Sequence, residues 1–192
     1  MPADAVFDLL GVVLLFATLC VAAVTDILHR KVYNWLTVPA IAFGLTLGYA
    51  SGDWGSVALG PGGGGLLDRL AGFSVGFGLF FLAWFGGKGV AGGDVKLMGA
   101  IGALRGLHFV VSAMFWSCLV GAILAVWVLL GRGRLLWGLR RSLRHTLSLR
   151  PEPVPPEEED AARLRIPMGA AIAFGSLLAW FLLEAPTEVV AP

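Results

Sequence analysis

Apolar residues in this chain come in long, almost unbroken windows instead of alternating with polar ones. Six windows stand out: Val6–Val24, Trp35–Ala50, Leu66–Phe85, Val95–Leu107, His108–Leu130 and Ile166–Leu183, the last opening on Pro167, which suits a first helical turn. A helix needs about 20 mostly apolar residues to cross about 30 Å of hydrocarbon. Val95–Leu107 has 13 residues and rises only about 20 Å as a helix. It is rich in Gly and other small residues, which let neighbouring helices approach closely, and tilt or local thinning absorbs a mismatch. The pattern predicts an all-α, polytopic membrane bundle of six transmembrane helices, forming a single domain over residues 1–192.

Composition closes off the alternatives. Hydrophobic residues make up 57% and charged residues 14%, and mean hydropathy is +0.82. That is too apolar for an ordinary soluble domain and far too apolar for a disordered chain. The net charge of +1 gives no footprint for nucleic acid. Cys20 and Cys118 each lie inside an apolar window, without a second Cys or His at ligand spacing, so they read as small buried hydrophobes and neither a zinc site nor a disulfide framework is expected. The first window begins among Asp4 and Asp8 rather than basic residues, which predicts a retained helix and not a cleaved signal.

Charge placement tests the count of six. With the N-terminus outside, twelve of the fourteen Lys and Arg residues fall on the cytoplasmic side: Arg30, Lys31, Lys88, Lys96 and the eight arginines from Arg132 to Arg165. Short cytoplasmic loops collect such cations. Arg69 and Arg105 are expected to face outward, with the acidic termini. Omitting the short fourth helix puts Arg132–Arg165 on the opposite side from Arg30 and Lys31. Residues 132–165 are expected to form a cytoplasmic loop in which 134–150 is basic and amphipathic, suited either to the interface plane or to a plain solvated loop. A Pro/Glu linker follows at 151–160.

Two carboxylates stand apart from loops and tails. Asp26 closes the first window in Ala-Val-Thr-Asp-Ile-Leu, and Asp94 opens the short helix in Gly-Gly-Asp-Val-Lys-Leu. Charge at that depth is costly and usually has a task or a partner. The topology brings both to the cytoplasmic end, where two adjacent carboxylates share one proton and form an acid and a base around a water. Gly92 and Gly93 allow close approach of a substrate backbone, or simply a turn. Structural roles are equally open: Asp94 as a helix cap, and Asp26 paired with Arg30 or Lys31.

These strings resemble the prepilin peptidases, intramembrane aspartic proteases with a Gly-x-Gly-Asp signature. Gly93-Asp94-Val95-Lys96-Leu97 matches the signature's second half, with Ala91 in place of its first Gly. Asp26 and the following Val32-Tyr33-Asn34 resemble the family's first catalytic Asp and its Ile-Pro-Asn element, with Tyr33 in place of Pro. Ile166-Pro167-Met168-Gly169 resembles its later Pro-x-Gly. The resemblance spans nearly the whole chain and is closest to the short, tight-adherence pilus type. It implies catalytic Asp26 and Asp94, supporting roles toward loop or substrate for Gly92, Gly93, Asn34, Lys96, Pro167 and Gly169, and no metal or other cofactor. It also implies a multi-pass protein of the bacterial inner membrane that removes the basic leader from prepilin-like precursors beside the pilus assembly machinery. The paired Cys-x-x-Cys region of the methylating members is missing between Asp26 and Asn34, so cleavage without N-methylation is expected.

Read without the resemblance, Asn34 can cap the second helix, Lys96 is expected to snorkel to headgroups, and Trp35, Trp84 and Trp137 fit an aromatic belt. Two other functions stay open on the residues alone: a small proton- or cation-coupled transporter component, and a non-catalytic scaffold of a pilus or secretion machine.

Overall fold

The computed structural model of the chain describes residues 3–57, 64–86, 90–131 and 168–183. All regular structure among the described residues is helical: α1 (Ala3–His29), α2 (Asn34–Ala50), α3 (Leu66–Phe85), α4 (Gly92–Gly131) and α5 (Met168–Leu183). Val6–His29, Leu66–Phe85 and Gly92–Val128 are long and apolar enough to cross a membrane, and Met168–Leu183 is a shorter apolar helix. The basic segment 132–165, Lys88 and Pro167 lie outside the described residues. Residues 1–120 and 167–192 form one compact unit and 121–166 a second, of which the described part, 121–131, is the end of α4.

α1 stops where Arg30 adopts a left-handed conformation (φ 53°) and its N–H donates to the Asp26 carbonyl at 2.8 Å, a common helix ending. α2 tolerates Pro39 in its second turn, where one backbone bond is lost. In the larger unit α1 packs on α2 and α5, and α2 on α3. Large apolar side chains such as Leu9, Val13, Phe43, Leu82, Phe115 and Phe181 point outward, as expected where lipid is the solvent.

The short fourth segment is the centre of this unit. From Leu97 to Gly106 every residue is buried, and Leu97, Met98, Ile101 and Leu104 join Leu15 and Leu19 of α1, Phe80 of α3 and Ile172 of α5 in one core. A helix enclosed by protein on all sides does not have to match the hydrocarbon thickness. Small residues give the enclosure room: Gly44 of α2 meets the Ala103 backbone, and Gly72 of α3 meets the backbone of Gly102 and Gly106.

Gly106 breaks α4, with φ 81° and ψ −173°, at the place where the apolar pattern separates two segments. An interrupted helix in hydrocarbon leaves free carbonyls before the break and free N–H groups after it. Adjacent residues of α3 answer both. Arg69 donates through Nη1 to the Leu104 carbonyl, and Asp68 accepts the Leu107 N–H through Oδ1 at 3.1 Å. Asp68 also accepts the Gly64 N–H at 3.1 Å, and Arg69 Nε donates to the Gly64 carbonyl at 3.2 Å. Arg105 pairs with Asp8 of α1 at 2.6 Å. Arg69 and Arg105, the two cations expected on the outer side, are both 2% exposed. The cost of burying them is offset by bonds to carbonyls and carboxylates.

A methyl group at Gly106 would collide with the Asp68 carboxylate on a backbone that side chains rarely adopt. Gly106→Ala is therefore expected to destabilise the fold by at least about 2 kcal/mol, measured as a lower Tm in detergent micelles. An unchanged Tm would show that the break does not need glycine.

Candidate active site

The two ends of the larger unit carry its two polar groupings. Asp8, Arg69, Arg105 and Gly106 mark one end. Asp26 lies 18 residues along α1 from Asp8, a rise of about 27 Å, and so marks the other. At that second end the C-terminus of α1, the N-termini of α2 and α5 and the N-terminus of α4 converge, as the following contacts define.

Asp26 is 7% exposed and Asp94 3% exposed, and the two carboxylates are close enough for their charges to repel. Asp26 Oδ2 accepts the backbone N–H of Ala170 at 3.1 Å. That N–H belongs to the first turn of α5, where helical donors have no partner of their own and the helix dipole favours an acceptor. The approach is close: a Cβ at Gly169 would sit 2.9 Å from Asp26 Cγ and Oδ2. Asp26 is thus held by α5 and not by Arg30 or Lys31.

Asp94 occupies the third position of α4 and reaches back to the residue before the helix. Its Oδ2 accepts the Ala91 N–H at 3.1 Å, while its own N–H donates to the Ala91 carbonyl at 3.0 Å. This is half of a capping box. Ala91, standing where the signature has glycine, supplies that N–H from its backbone, which any residue offers. Gly93 packs on the α1–α2 connection, where a Cβ would lie 3.0 Å from Val32 Cβ. Gly92 has open space around it, so no steric demand at that position requires a glycine.

Lys96 does not merely reach for headgroups: its Nζ donates to Asn34 Oδ1 at 2.8 Å. Asn34 in turn makes no cap for α2, whose preceding residue, Tyr33, caps it without a side-chain bond. The bond ties α2 to α4 two residues beyond Asp94. Of the residues singled out in the sequence, Asp26, Asp94, Gly93, Asn34, Lys96 and Gly169 gather at this end. Among the described residues no cluster of His, Cys, Asp and Glu has the makings of a metal site.

A family model described as the type IV leader peptidase family matches residues 13–126, a stretch that holds Asp26, Asn34 and the Gly92–Lys96 string and covers more than half of the chain. The chain belongs to the type IV leader peptidase family. No curated protein and no solved structure matches it. Family membership and the apolar helices together make it a membrane peptidase. The contact of Gly169 with Asp26 lies beyond the matched stretch and ties α5 to the same site in this member of the leader peptidase family.

Sequence reasoning missed one residue here. Thr37 of α2 is fully buried, and the signal for it was a hydroxyl on the stripe of α2, with Ala40, Gly44 and Gly48, that turns inward.

Gly169→Ala is expected to push Asp26 aside and, for a peptidase that works at this candidate site, to lower turnover by about 10²-fold, the effect of a misplacement of about 1 Å. Turnover of a leader-bearing substrate by purified protein checks this, alongside Tm. Full activity with an alanine at this position would show that α5 does not fix the carboxylate.

Proposed function

We propose that this leader peptidase is an intramembrane aspartyl endopeptidase whose catalytic pair is Asp26 and Asp94. The observation that supports it best is that two buried carboxylates far apart in sequence, on α1 and α4, each have one oxygen held by a backbone N–H and lie close enough for their charges to interact. Fixing one oxygen of each by a bond to the main chain leaves the other free to face a reacting group in a set orientation.

In the proposed reaction one carboxylate is ionised and its partner carries the shared proton. The ionised carboxylate takes a proton from water as the water oxygen attacks the scissile carbonyl carbon. The protonated one donates to the carbonyl oxygen as charge develops there. In collapse of the tetrahedral intermediate the C–N bond breaks, the amine leaves with a proton from the first carboxylate, and the second recovers its own. The reaction consumes one water and needs no other reactant.

The substrate class is a prepilin-like precursor, with its basic leader on the cytoplasmic side and its apolar segment entering sideways from the bilayer. The charge count supports this orientation, because Arg30, Lys31 and Lys96 lie at the carboxylate end of the chain's helices. In this reading both termini lie outside, with six crossings of the bacterial inner membrane. Asn34, Lys96, Gly93 and Gly169 support the pair; Pro167 would start α5. Pilus assembly machinery is the expected setting, and the product is an unmethylated amine.

Co-expression with a precursor tests the reading. Asp26→Asn and Asp94→Asn should each insert into the membrane normally and lower leader removal by at least about 10²-fold, the range of general acid–base catalysis. Leader removal that survives both changes would contradict the assigned pair. Mass spectrometry of the mature product should find a free, unmethylated N-terminus; a methylated one in a host lacking other methylating peptidases would overturn the expectation of cleavage alone.

A further inference from the structure

A buried hydroxyl normally finds a partner, and in a helix Thr most easily bonds the carbonyl one turn back. Thr25 of α1 does this, donating to the Val21 carbonyl at 2.9 Å. Thr37 does not. Among the described residues its Oγ1 is buried and without a hydrogen-bond partner, although its backbone N–H bonds the Tyr33 carbonyl at 3.4 Å in the ordinary way.

The helix register gives its depth. α2 and the first half of α4 run in the same direction, because Asn34 bonds Lys96 and Gly44 abuts Ala103. Thr37 precedes Gly44 by seven residues, as Lys96 precedes Ala103. Thr37 is therefore level with Lys96 and within one turn, about 5 Å of rise, of Asp94. It shares the inward stripe of α2 with Gly44, the residue that touches α4. A hydroxyl that has lost water and gained nothing is a cost to folding. At this level of the described residues Asp94 lies within one turn, and Lys96 is already bonded to Asn34.

We infer that Thr37 is a positioning residue for hydrolysis, its hydroxyl giving the nucleophilic water a third polar contact beside Asp26 and Asp94. A water enclosed in an apolar surround is held by two to four polar partners, and two carboxylate oxygens alone leave its direction of attack loosely set. The hydroxyl can accept a hydrogen from the water, or donate to its oxygen, so it fixes orientation without taking part in proton bookkeeping. This rests on the aspartyl peptidase reading above.

Thr37→Val keeps the shape and removes the hydroxyl. The inference expects kcat for precursor cleavage to fall by about tenfold, the value of one hydrogen bond made in the transition state, with KM changed by less than about twofold. Tm should be unchanged or higher, because an unpartnered polar atom has been removed. Thr37→Ser should restore most of kcat. Ser176 of α5 is the control: its hydroxyl is also buried without a partner, but seven residues along α5 from Gly169, about 10 Å away, and Ser176→Ala should cleave as the parent does. Wild-type kcat in Thr37→Val, a loss that tracks a lowered Tm, or a loss confined to KM overturns the inference. If Asp26→Asn and Asp94→Asn still cleave, the aspartyl reading itself has failed. If those two are inactive while Thr37→Val is fully active, only the role of Thr37 has failed.

Discussion

A polar group surrounded by hydrocarbon has to find its partner inside the protein, and this constraint shapes the chain most visibly at the interruption of α4. The break at Gly106 exposes carbonyls on one side and N–H groups on the other. Two consecutive residues of α3, Asp68 and Arg69, have the charges needed to cap both, and they do so from a helix packed tightly enough to bring backbones into contact. Because the break is satisfied there, the segment that begins at Gly92 can be short, central and enclosed, and its other end is free to carry Asp94.

The same constraint governs the carboxylate end with a different result. At the Gly106 end, the charged groups are covered from several directions and form a lock. At the Asp26 end each carboxylate receives a single backbone N–H: from α5 for Asp26, and from the turn before α4 for Asp94. A carboxylate has room for several more hydrogen bonds than one. The charges at the Gly106 end are bonded from several elements, while the two carboxylates at the Asp26 end keep capacity for further bonds. On the proposed reading, such a site gives up some stability for its function, and the buried Thr37 hydroxyl without a hydrogen-bond partner fits that pattern.

Much of this was readable from the residues. The window Leu66–Phe85 coincides with α3, and Trp35–Ala50 lacks only the first residue of α2, because an apolar run bounded by Gly, Asn or charge has few ways to end. Charge placement asked for a short fourth segment, and α4 breaks at Gly106, the last residue but one of the Val95–Leu107 window. The convergence of Asp26 and Asp94 followed from alternating helix direction. What the residues did not disclose are bonds between elements far apart in sequence. Arg69 gave no sign of its partners, because its acceptors, the Gly44 and Leu104 carbonyls, are backbone groups that leave no trace in side-chain identity. Asp68 beside it offered a signal, since two opposite charges in the first turn of an apolar window need partners at depth. Lys96 looked like a snorkelling side chain for the same reason: its bond to Asn34 spans 62 positions. Gly169 is distinguished from the many other glycines only by the carboxylate it touches.

The account stands on the meeting of Asp26 and Asp94 at one end of the helices. Cross-linking tests this directly: replace Cys20 and Cys118 by alanine, introduce Asp26→Cys with Asp94→Cys, and treat intact membranes with a short bifunctional thiol reagent. An intramolecular bridge between the two positions, and none between Asp8→Cys and Asp94→Cys, is the predicted result. A bridge that forms only in the second pair, or in neither while single thiols react, would contradict it.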